Sequence, residues 1–298
     1  MIFIKIFDTH CDTVYVMQKL GVEFDNPKTH IKKSDVNKYE TFEQMFAIWS
    51  NPKRNDDENW QHYLLVKKYF DEKILPFKSD SFVPHLAVEG GALLGKDISK
   101  IDILKEHGVR MMTLVWKDEC NIGGAHNTNL GFTPFGKDVA KQLCEYGIIP
   151  DVSHASDKMT YETLEIAEQY GIPVCASHSN SRTVRNVTRN MTDDMFACIK
   201  KSGGLVGLNF CCDFLADIDV RPADITDILR HTEHFLALGG EKTLCLGCDL
   251  DGIKTLPLGI EGAGSFDRLY DEYKKIGYQD SLIEDIFYNN ASAFFNQH

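Results

Sequence analysis

A histidine and an aspartate two residues apart, His10 and Asp12, directly follow a short apolar run near the start of the chain. Alternate residues of an extended segment point the same way, so these two side chains could bind one metal ion together. Four more side chains that bind metals or transfer protons each follow a later apolar run: Glu89, His154, His178 and Asp249. Three histidines and several carboxylates are a plausible ligand set for zinc, or for two divalent ions bridged by a carboxylate.

The elements that must position these residues are short strands alternating with helices. Eight apolar runs can be marked, at about 2–7, 44–50, 84–88, 109–115, 147–152, 173–177, 204–210 and 243–248. Most of them are followed by a helical pattern, which predicts βα units and an α/β fold. Eight units favour a single (β/α)8 TIM barrel, with an open doubly wound sheet as the alternative. In a parallel barrel all strand ends share one face, so the six side chains would converge there.

Helix boundaries can be read at several points. Thr133 can cap a helix, Pro134 suits its first turn and Gly147 can end it, which predicts a helix over 133–147. The same signals predict helices over 156–170 and 192–199. The segment around 51–80 mixes aromatic and charged residues and is interpreted as a helical insertion after the second strand. No linker-like segment divides the sequence, so we expect one barrel domain over 1–298.

The composition excludes some classes of partner. Lys plus Arg is 32 against 44 Asp plus Glu, and the formal charge of −12 disfavours nucleic acid and anionic membranes. Small molecules or metal cations fit better. The opening apolar run is shorter than a signal-peptide core and lacks a basic leader, and no stretch approaches the roughly 18 apolar residues of a membrane span. We therefore expect a cytoplasmic protein.

Other cysteines and histidines have simpler interpretations. Cys245 and Cys248 match Cys-x-x-Cys but fall inside a predicted strand, where positions three apart face opposite ways, so we expect buried, reduced thiols. Four further histidines lie in polar or helical contexts and are interpreted as surface residues: His30, His62, His107 and His298.

The chain resembles the membrane (renal) dipeptidase family of the amidohydrolase superfamily. Six motifs in family order carry the resemblance: Asp8-Thr9-His10-Cys11-Asp12, Val88-Glu89-Gly90-Gly91, Gly131-Phe132-Thr133-Pro134-Phe135-Gly136, Asp151-Val152-Ser153-His154, Ser177-His178-Ser179-Asn180 and Gly247-Cys248-Asp249-Leu250-Asp251-Gly252. The resemblance implies a barrel of the metal-dependent hydrolase type with a binuclear zinc site at the strand ends. His10 and Asp12 would bind one zinc ion. His154 and His178 would bind the other, and Glu89 would bridge the two.

The resemblance also implies a reaction. The family cleaves dipeptides, often with a D-residue at the C-terminal position, by a hydroxide shared between the zinc ions. Asp249 would act as general base and then acid, with Asp251 as the competing candidate. Arg189 occupies the place of the arginine that holds the substrate's C-terminal carboxylate, a task that suits a planar guanidinium. Arg182 and Arg185 are weaker candidates.

One position departs from the family. Its better-known mammalian members end the fourth strand with a histidine that contacts the substrate and steadies the tetrahedral intermediate, and here that position is Trp116. Indole has a single N–H donor and could orient a substrate but not replace an imidazolium. His126, in a glycine-rich loop, is a hypothetical substitute. For His231 and His234, on a predicted helix, supporting or packing roles are favoured over ligation.

Three functions remain open at this stage. The leading one is a zinc-dependent dipeptidase, and the second is another amidohydrolase reaction, such as hydrolysis of a lactam or an N-acyl amino acid. The third is a barrel that binds a small ligand without catalysis, which Trp116 motivates and the complete ligand set disfavours. Dimers are common in the family, so a homodimer is a further expectation.

Overall fold

Eight parallel strands close into a barrel in chain order in the computed structural model, which describes residues 2–298. The strands are β1 Ile2–Cys11, β2 Tyr39–Trp49, β3 Phe82–Glu89, β4 Val109–Thr113, β5 Ile149–Asp151, β6 Cys175–Ala176, β7 Leu205–Leu208 and β8 Leu244–Leu246. Parallel pairing of β1 with β8, through Asp8 and Leu246, completes the ring. The predicted (β/α)8 barrel is confirmed, and the open-sheet alternative is wrong.

Helices cover the outside of the barrel and close one of its ends. They are α1 Thr13–Leu20, α2 Lys33–Val36, α3 Asp56–Lys73, α4 Lys100–Glu106, α5 Pro134–Glu145, α6 Asp157–Tyr170, α7 Asp193–Lys201, α8 Cys212–Leu215, α9 Ile225–Ala237, α10 Phe266–Lys275, α11 Asp280–Glu284 and α12 Asn290–Gln297. Within residues 2–298, no helix has the length and apolarity that crossing a membrane requires.

The helix signals in the sequence correspond to observed caps. The side chains of Thr133, Ser156 and Thr192 each accept a hydrogen bond from a backbone N–H in the first turn of α5, α6 and α7. Gly171 ends α6 in the left-handed conformation, at a φ of 66°. The predicted bounds of these three helices are therefore correct to within about two residues.

The barrel interior is filled by one buried residue from each strand. This cluster consists of Phe7, Met45, Ala87, Met111, Ile149, Cys175, Leu205 and Cys245, and α12 packs against it through Ala291, Phe294 and Phe295. Cys248 belongs instead to the main core cluster, so the two cysteines of Cys-x-x-Cys are buried in different clusters and both thiols are free. The end of the barrel opposite α12, where the strands end, carries the polar residues.

Candidate metal centre

Glu89 lies between two groups of potential metal ligands. It is the last residue of β3, and only 3% of its surface is exposed. One carboxylate oxygen, Oε1, lies 3.0 Å from Nε2 of His154 and 3.6 Å from Nε2 of His178. The other, Oε2, lies 3.9 Å from Nε2 of His10. Each oxygen of this carboxylate therefore faces different histidines, and the rings of His10 and His178 are themselves 3.9 Å apart, centroid to centroid.

The first group contains His10, Asp12 and Asp249. Nε2 of His10 lies 3.5 Å from Asp12 Oδ2 and 3.8 Å from Asp249 Oδ1. Asp12 is not on the extended strand that the sequence predicts, because β1 ends at Cys11 and Asp12 starts α1 with a φ of −103° and a ψ of 14°. The predicted proximity of His10 and Asp12 is observed, but the start of a helix produces it rather than strand alternation.

The second group contains His154 and His178, which follow β5 and β6. Their Nε2 atoms lie 3.0 Å apart. His154 has a φ of 70°, a left-handed conformation that is rare outside glycine, and Asp249 shares it with a φ of 59°. Strained backbone of this kind often occurs at functional sites. The structure thus brings all six predicted residues to one end of the barrel.

These side chains fit divalent metal ions. Both ring nitrogens of His10 and Nδ1 of His154 are buried without a hydrogen-bond partner among the described residues. Three buried carboxylates, those of Asp12, Glu89 and Asp249, surround His10, and a divalent cation would compensate their negative charge. Histidine nitrogens combined with carboxylate oxygens suit zinc and other divalent transition metals.

The electrostatics of the cluster agree with this reading. Burial alone would lower the pKa of His10, but the nearby carboxylates of Asp12 and Glu89 raise it to about 10, which shows how strongly this position favours positive charge. Burial also raises the pKa of Glu89 well above its usual range, to which the charge of Asp12 adds. Burial lowers the pKa of both His154 and His178 well below its usual range. These two imidazoles are therefore neutral, which is the form that binds metals.

Asp249 and Asp251 occupy different environments. Asp249 accepts a hydrogen bond from Nδ2 of Asn209 at 3.1 Å, and burial raises its pKa to about 6. The carboxylate of Asp251 instead accepts hydrogen bonds from Thr13 Oγ1 at 2.6 Å and from the backbone N–H of His30 at 2.9 Å. We call the six candidate ligands the ligand cluster: His10, Asp12, Glu89, His154, His178 and Asp249. Of the two aspartates, only Asp249 belongs to it.

The three candidate arginines also differ. Arg189 is 95% buried: Nη2 donates to the carbonyl of His178 at 3.0 Å, and Nε has no partner among the described residues. Arg182 makes two 2.7 Å hydrogen bonds to Asp157, and Arg185 pairs with a surface aspartate. Arg189 is therefore the candidate that the structure places at the site.

Two further predicted residues lie beside His154. Trp116 is half-buried, its ring centroid lies 6.5 Å from that of His154, and it packs edge-on against Trp49 at 4.8 Å. His126 lies 6.3 Å from His154, ring to ring, and its Nδ1 is 3.0 Å from Thr188 Oγ1. Burial, with the charge of Arg189, lowers the pKa of His126 to about 4.

The remaining histidines lie outside the ligand cluster. His231 is buried in α9, accepts a hydrogen bond from the backbone N–H of Ser181 and lies 3.1 Å from the carbonyl of Leu215. His234 pairs with an aspartate at 2.8 Å. The interpretation of His30, His62 and His107 as surface residues is wrong, because all three are half-buried, and only His298 is exposed. His30 accepts a hydrogen bond from the backbone N–H of Asp251, which supports the loop after β8.

Three residues that shape the site have no role assigned from the sequence. Asn209, after β7, holds Asp249, and the rule that strand ends converge could have identified it. Asp151 is a fully buried carboxylate at the end of β5. A charged residue inside the apolar run 147–152 was the signal that could have identified it. A Cβ on Gly252 would lie only 2.2 Å from Asp249 Oδ1, so this glycine leaves room for the ligand cluster.

The family comparison covers almost the whole chain. Residues 1–297 match the family model described as membrane dipeptidase, peptidase family M19. The chain belongs to this family. The mouse protein Dipeptidase 3 is 28% identical over 226 residues, which cover 71% of this chain and 44% of the mouse protein. An uncharacterized protein in the pqqA 5' region of Klebsiella pneumoniae is 33% identical over 169 residues, 56% of this chain and 61% of that protein. The chain thus spans about half the length of the curated relatives it matches.

Solved structures of M19 metallopeptidases have the same fold. Dipeptidase AC, a metallopeptidase of family M19, superposes with a TM-score of 0.90 at 21% identity and covers 99% of this chain and 98% of its own. A Rhodobacter sphaeroides metallopeptidase, solved with a phosphinate mimic of the dipeptide L-Ala-D-Ala, also gives 0.90 at 21% identity, with 99% of each chain covered. Family membership implies a metal-dependent enzyme.

Proposed function

We propose that this protein is a zinc-dependent dipeptidase that hydrolyses the peptide bond of dipeptides, including those with a C-terminal D-residue. The observation that carries the proposal is Glu89, which directs one oxygen to His154 and His178 and the other to His10, beside the buried Arg189. Two zinc ions per chain, a cytoplasmic location and a homodimer are parts of the same proposal.

The metal-binding residues divide at Glu89. His10 and Asp12 would hold one ion, His154 and His178 the other, and the Glu89 carboxylate would contact both. A divalent metal supplies Lewis-acid chemistry, since it polarises a carbonyl and makes water acidic near neutral pH. The low pKa of the His154 and His178 imidazoles keeps their ring nitrogens free to bind metal at neutral pH.

Arg189 supports a substrate with a free carboxylate. Its guanidinium is buried and fixed by Ser179 Oγ and the carbonyl of His178, which leaves donors free for an anion. A dipeptide places its C-terminal carboxylate one residue from the scissile carbonyl, which a pocket adjoining His178 can accommodate. The phosphinate bound to the Rhodobacter protein mimics a dipeptide of this type, L-Ala-D-Ala.

Asp249 is the group suited to proton transfer. A carboxylate with a pKa of about 6 is available as a base at neutral pH and can return the proton to a leaving amine. Asn209 orients it by a hydrogen bond to Oδ2, which leaves Oδ1 directed toward His10. Trp116 would contribute an apolar wall that contacts the substrate and excludes water on the side of His154.

The test is a substrate screen on zinc-reconstituted protein, with metal content measured in parallel. The panel contains L,L- and L,D-dipeptides, the same dipeptides as C-terminal amides, N-acyl amino acids and lactams. We expect about two zinc ions per chain and hydrolysis of dipeptides with a free carboxylate but not of their amides. In Glu89→Gln, which keeps the size and removes the charge, we expect loss of zinc and of activity together.

The outcomes separate the alternatives. Two zinc ions with no hydrolysis of any dipeptide would overturn the dipeptidase proposal and leave the metal site standing. Turnover confined to lactams or N-acyl amino acids would assign the protein to another amidohydrolase reaction. Wild-type activity in Glu89→Gln would contradict the role of this carboxylate.

A further inference from the structure

A buried carboxylate that is not a metal ligand lies next to His178. Asp151 ends β5 and has no exposed surface. Its Oδ1 accepts two backbone hydrogen bonds at 2.9 Å, from the N–H groups of Ser153 and Ser177. Its Oδ2 accepts two hydroxyl hydrogen bonds at 2.5 Å, from Thr113 and from the side chain of Ser177. All four acceptor positions of the carboxylate are therefore filled.

Ser177 connects this carboxylate to the ring of His178. Its Oγ lies 2.6 Å from Nδ1 of His178. A hydroxyl has one proton, and because Asp151 can only accept, that proton is directed to Asp151. The Ser177 oxygen must then accept a hydrogen bond from His178, so in an imidazole with a single ring proton that proton is on Nδ1. The Nε2 lone pair is left to face Glu89 and His154.

We propose that Asp151, acting through Ser177, fixes the Nδ1-protonated tautomer of His178 and so presents its Nε2 lone pair to a metal ion. Asp151 and Ser177 are positioning residues, because neither contacts the ligand cluster except through His178. We expect the hydrogen bond from Ser177 to Asp151 to be strong, since a hydrogen bond to a carboxylate is stronger than one between neutral groups. The tautomer follows from the hydrogen bonds alone, whereas its consequence for metal binding rests on the proposed function.

The hydrogen bonds predict an unusual result for an isosteric change. In Asp151→Asn, the two backbone N–H groups hold the amide oxygen at the Oδ1 position, which places the NH2 group where Oδ2 was. That group donates to Ser177 Oγ, so the Ser177 hydroxyl must turn and donate to Nδ1 of His178. The ring proton moves to Nε2, which blocks the metal-binding position. A carboxylate-to-amide change beside a catalytic histidine has this effect in serine proteases.

The test measures the tautomer of His178 and the zinc affinity of the 298-residue chain. Histidine is labelled with ¹⁵N, the ring signals are recorded before and after zinc is added, and His178 is assigned by its absence from His178→Gln. Zinc affinity is measured by competition with a chelator. We expect a protonated Nδ1 in the wild type, a protonated Nε2 in Asp151→Asn and mixed tautomers in Ser177→Ala. Zinc affinity at one of two sites should fall about 10–100-fold in Asp151→Asn and less in Ser177→Ala.

Thr113→Val is the matched control, because it removes the other hydroxyl bound to Oδ2 of Asp151 and leaves Ser177 in place. We expect it to keep the Nδ1-protonated signal. A protonated Nε2 in the wild type, or wild-type zinc affinity in both Asp151→Asn and Ser177→Ala, would overturn the inference while the substrate screen above still stands. If Asp151→Asn does not fold, Ser177→Ala alone decides. Wild-type protein that binds no zinc but shows the expected tautomer would refute the proposed metal centre and not the hydrogen-bond assignment.

Discussion

Replacing Gly252 by alanine is expected to disable the metal centre without unfolding the barrel. A Cβ at this position would lie 2.2 Å from Asp249 Oδ1 and 2.3 Å from Asp12 Oδ2. The φ of Gly252 is outside the left-handed region, so alanine introduces no backbone strain there. The substitution therefore acts on two carboxylates of the ligand cluster and on little else.

The size of the effect follows from these distances. Ordinary contact begins at 3.4 Å, so each carboxylate oxygen must retreat by roughly 1 Å. Misplacing a catalytic group by about 1 Å can cost on the order of 100-fold in rate. The atoms that must move are the ends of side chains, so the free energy of unfolding should fall by only about 1–3 kcal/mol, as is typical of overpacking.

The assay is kcat/KM on the best dipeptide of the screen, with zinc content and thermal unfolding measured on the same samples. Gly264→Ala is the matched control: its Cβ would also meet a carboxylate, at 2.6 Å from Asp35 Oδ1, and Asp35 is not one of the candidate metal ligands. We expect Gly252→Ala to lose about 100-fold in kcat/KM and Gly264→Ala to keep its activity. Activity within about twofold of wild type and full zinc content in Gly252→Ala would refute the assignment of Asp12 and Asp249 to the centre.

Three further predictions concern the substrate side of the site. Arg189→Lys should raise KM about 10–100-fold with a smaller change in kcat, because an ammonium cannot bind a carboxylate with two parallel hydrogen bonds. The surface substitution Arg268→Lys is the control and should leave KM unchanged. A wild-type KM in Arg189→Lys would exclude the role of Arg189 in binding the carboxylate. Trp116→His should raise kcat about tenfold, because an imidazolium can stabilise an oxyanion. An unchanged kcat in steady-state kinetics would mean that the indole of Trp116 supports turnover equally well. His126→Ala should lower kcat about tenfold if its neutral imidazole donates a hydrogen bond to the substrate in place of the missing histidine, and unchanged turnover would exclude it.

The barrel could be predicted because its strands are short apolar runs and its helices carry local start signals. Thr133, Ser156 and Thr192 cap their helices through their own side chains, which is information contained in a few neighbouring residues. The strand bounds were less accurate, since the apolar run 173–177 contains a strand of only two residues, Cys175–Ala176. Parallel pairing, rather than local sequence, sets where such a strand ends.

The convergence of the site could be predicted only in part. The rule that strand ends meet at one face placed Glu89, His154 and His178 together, and the structure agrees. The role of Asp151 could not be read in this way, because it depends on donors 26 and 38 residues away in the chain. The conformation of Asp12 was also inaccessible, because β1 ends one residue earlier than strand alternation required.

The most direct test of the central claim is a crystal structure of the zinc-reconstituted protein with anomalous diffraction recorded on both sides of the zinc absorption edge. We expect two zinc peaks per chain at the strand ends, one contacted by His10 and Asp12, the other by His154 and His178, and both by Glu89. A single peak, or zinc bound elsewhere with these side chains contacting only one another, would contradict it.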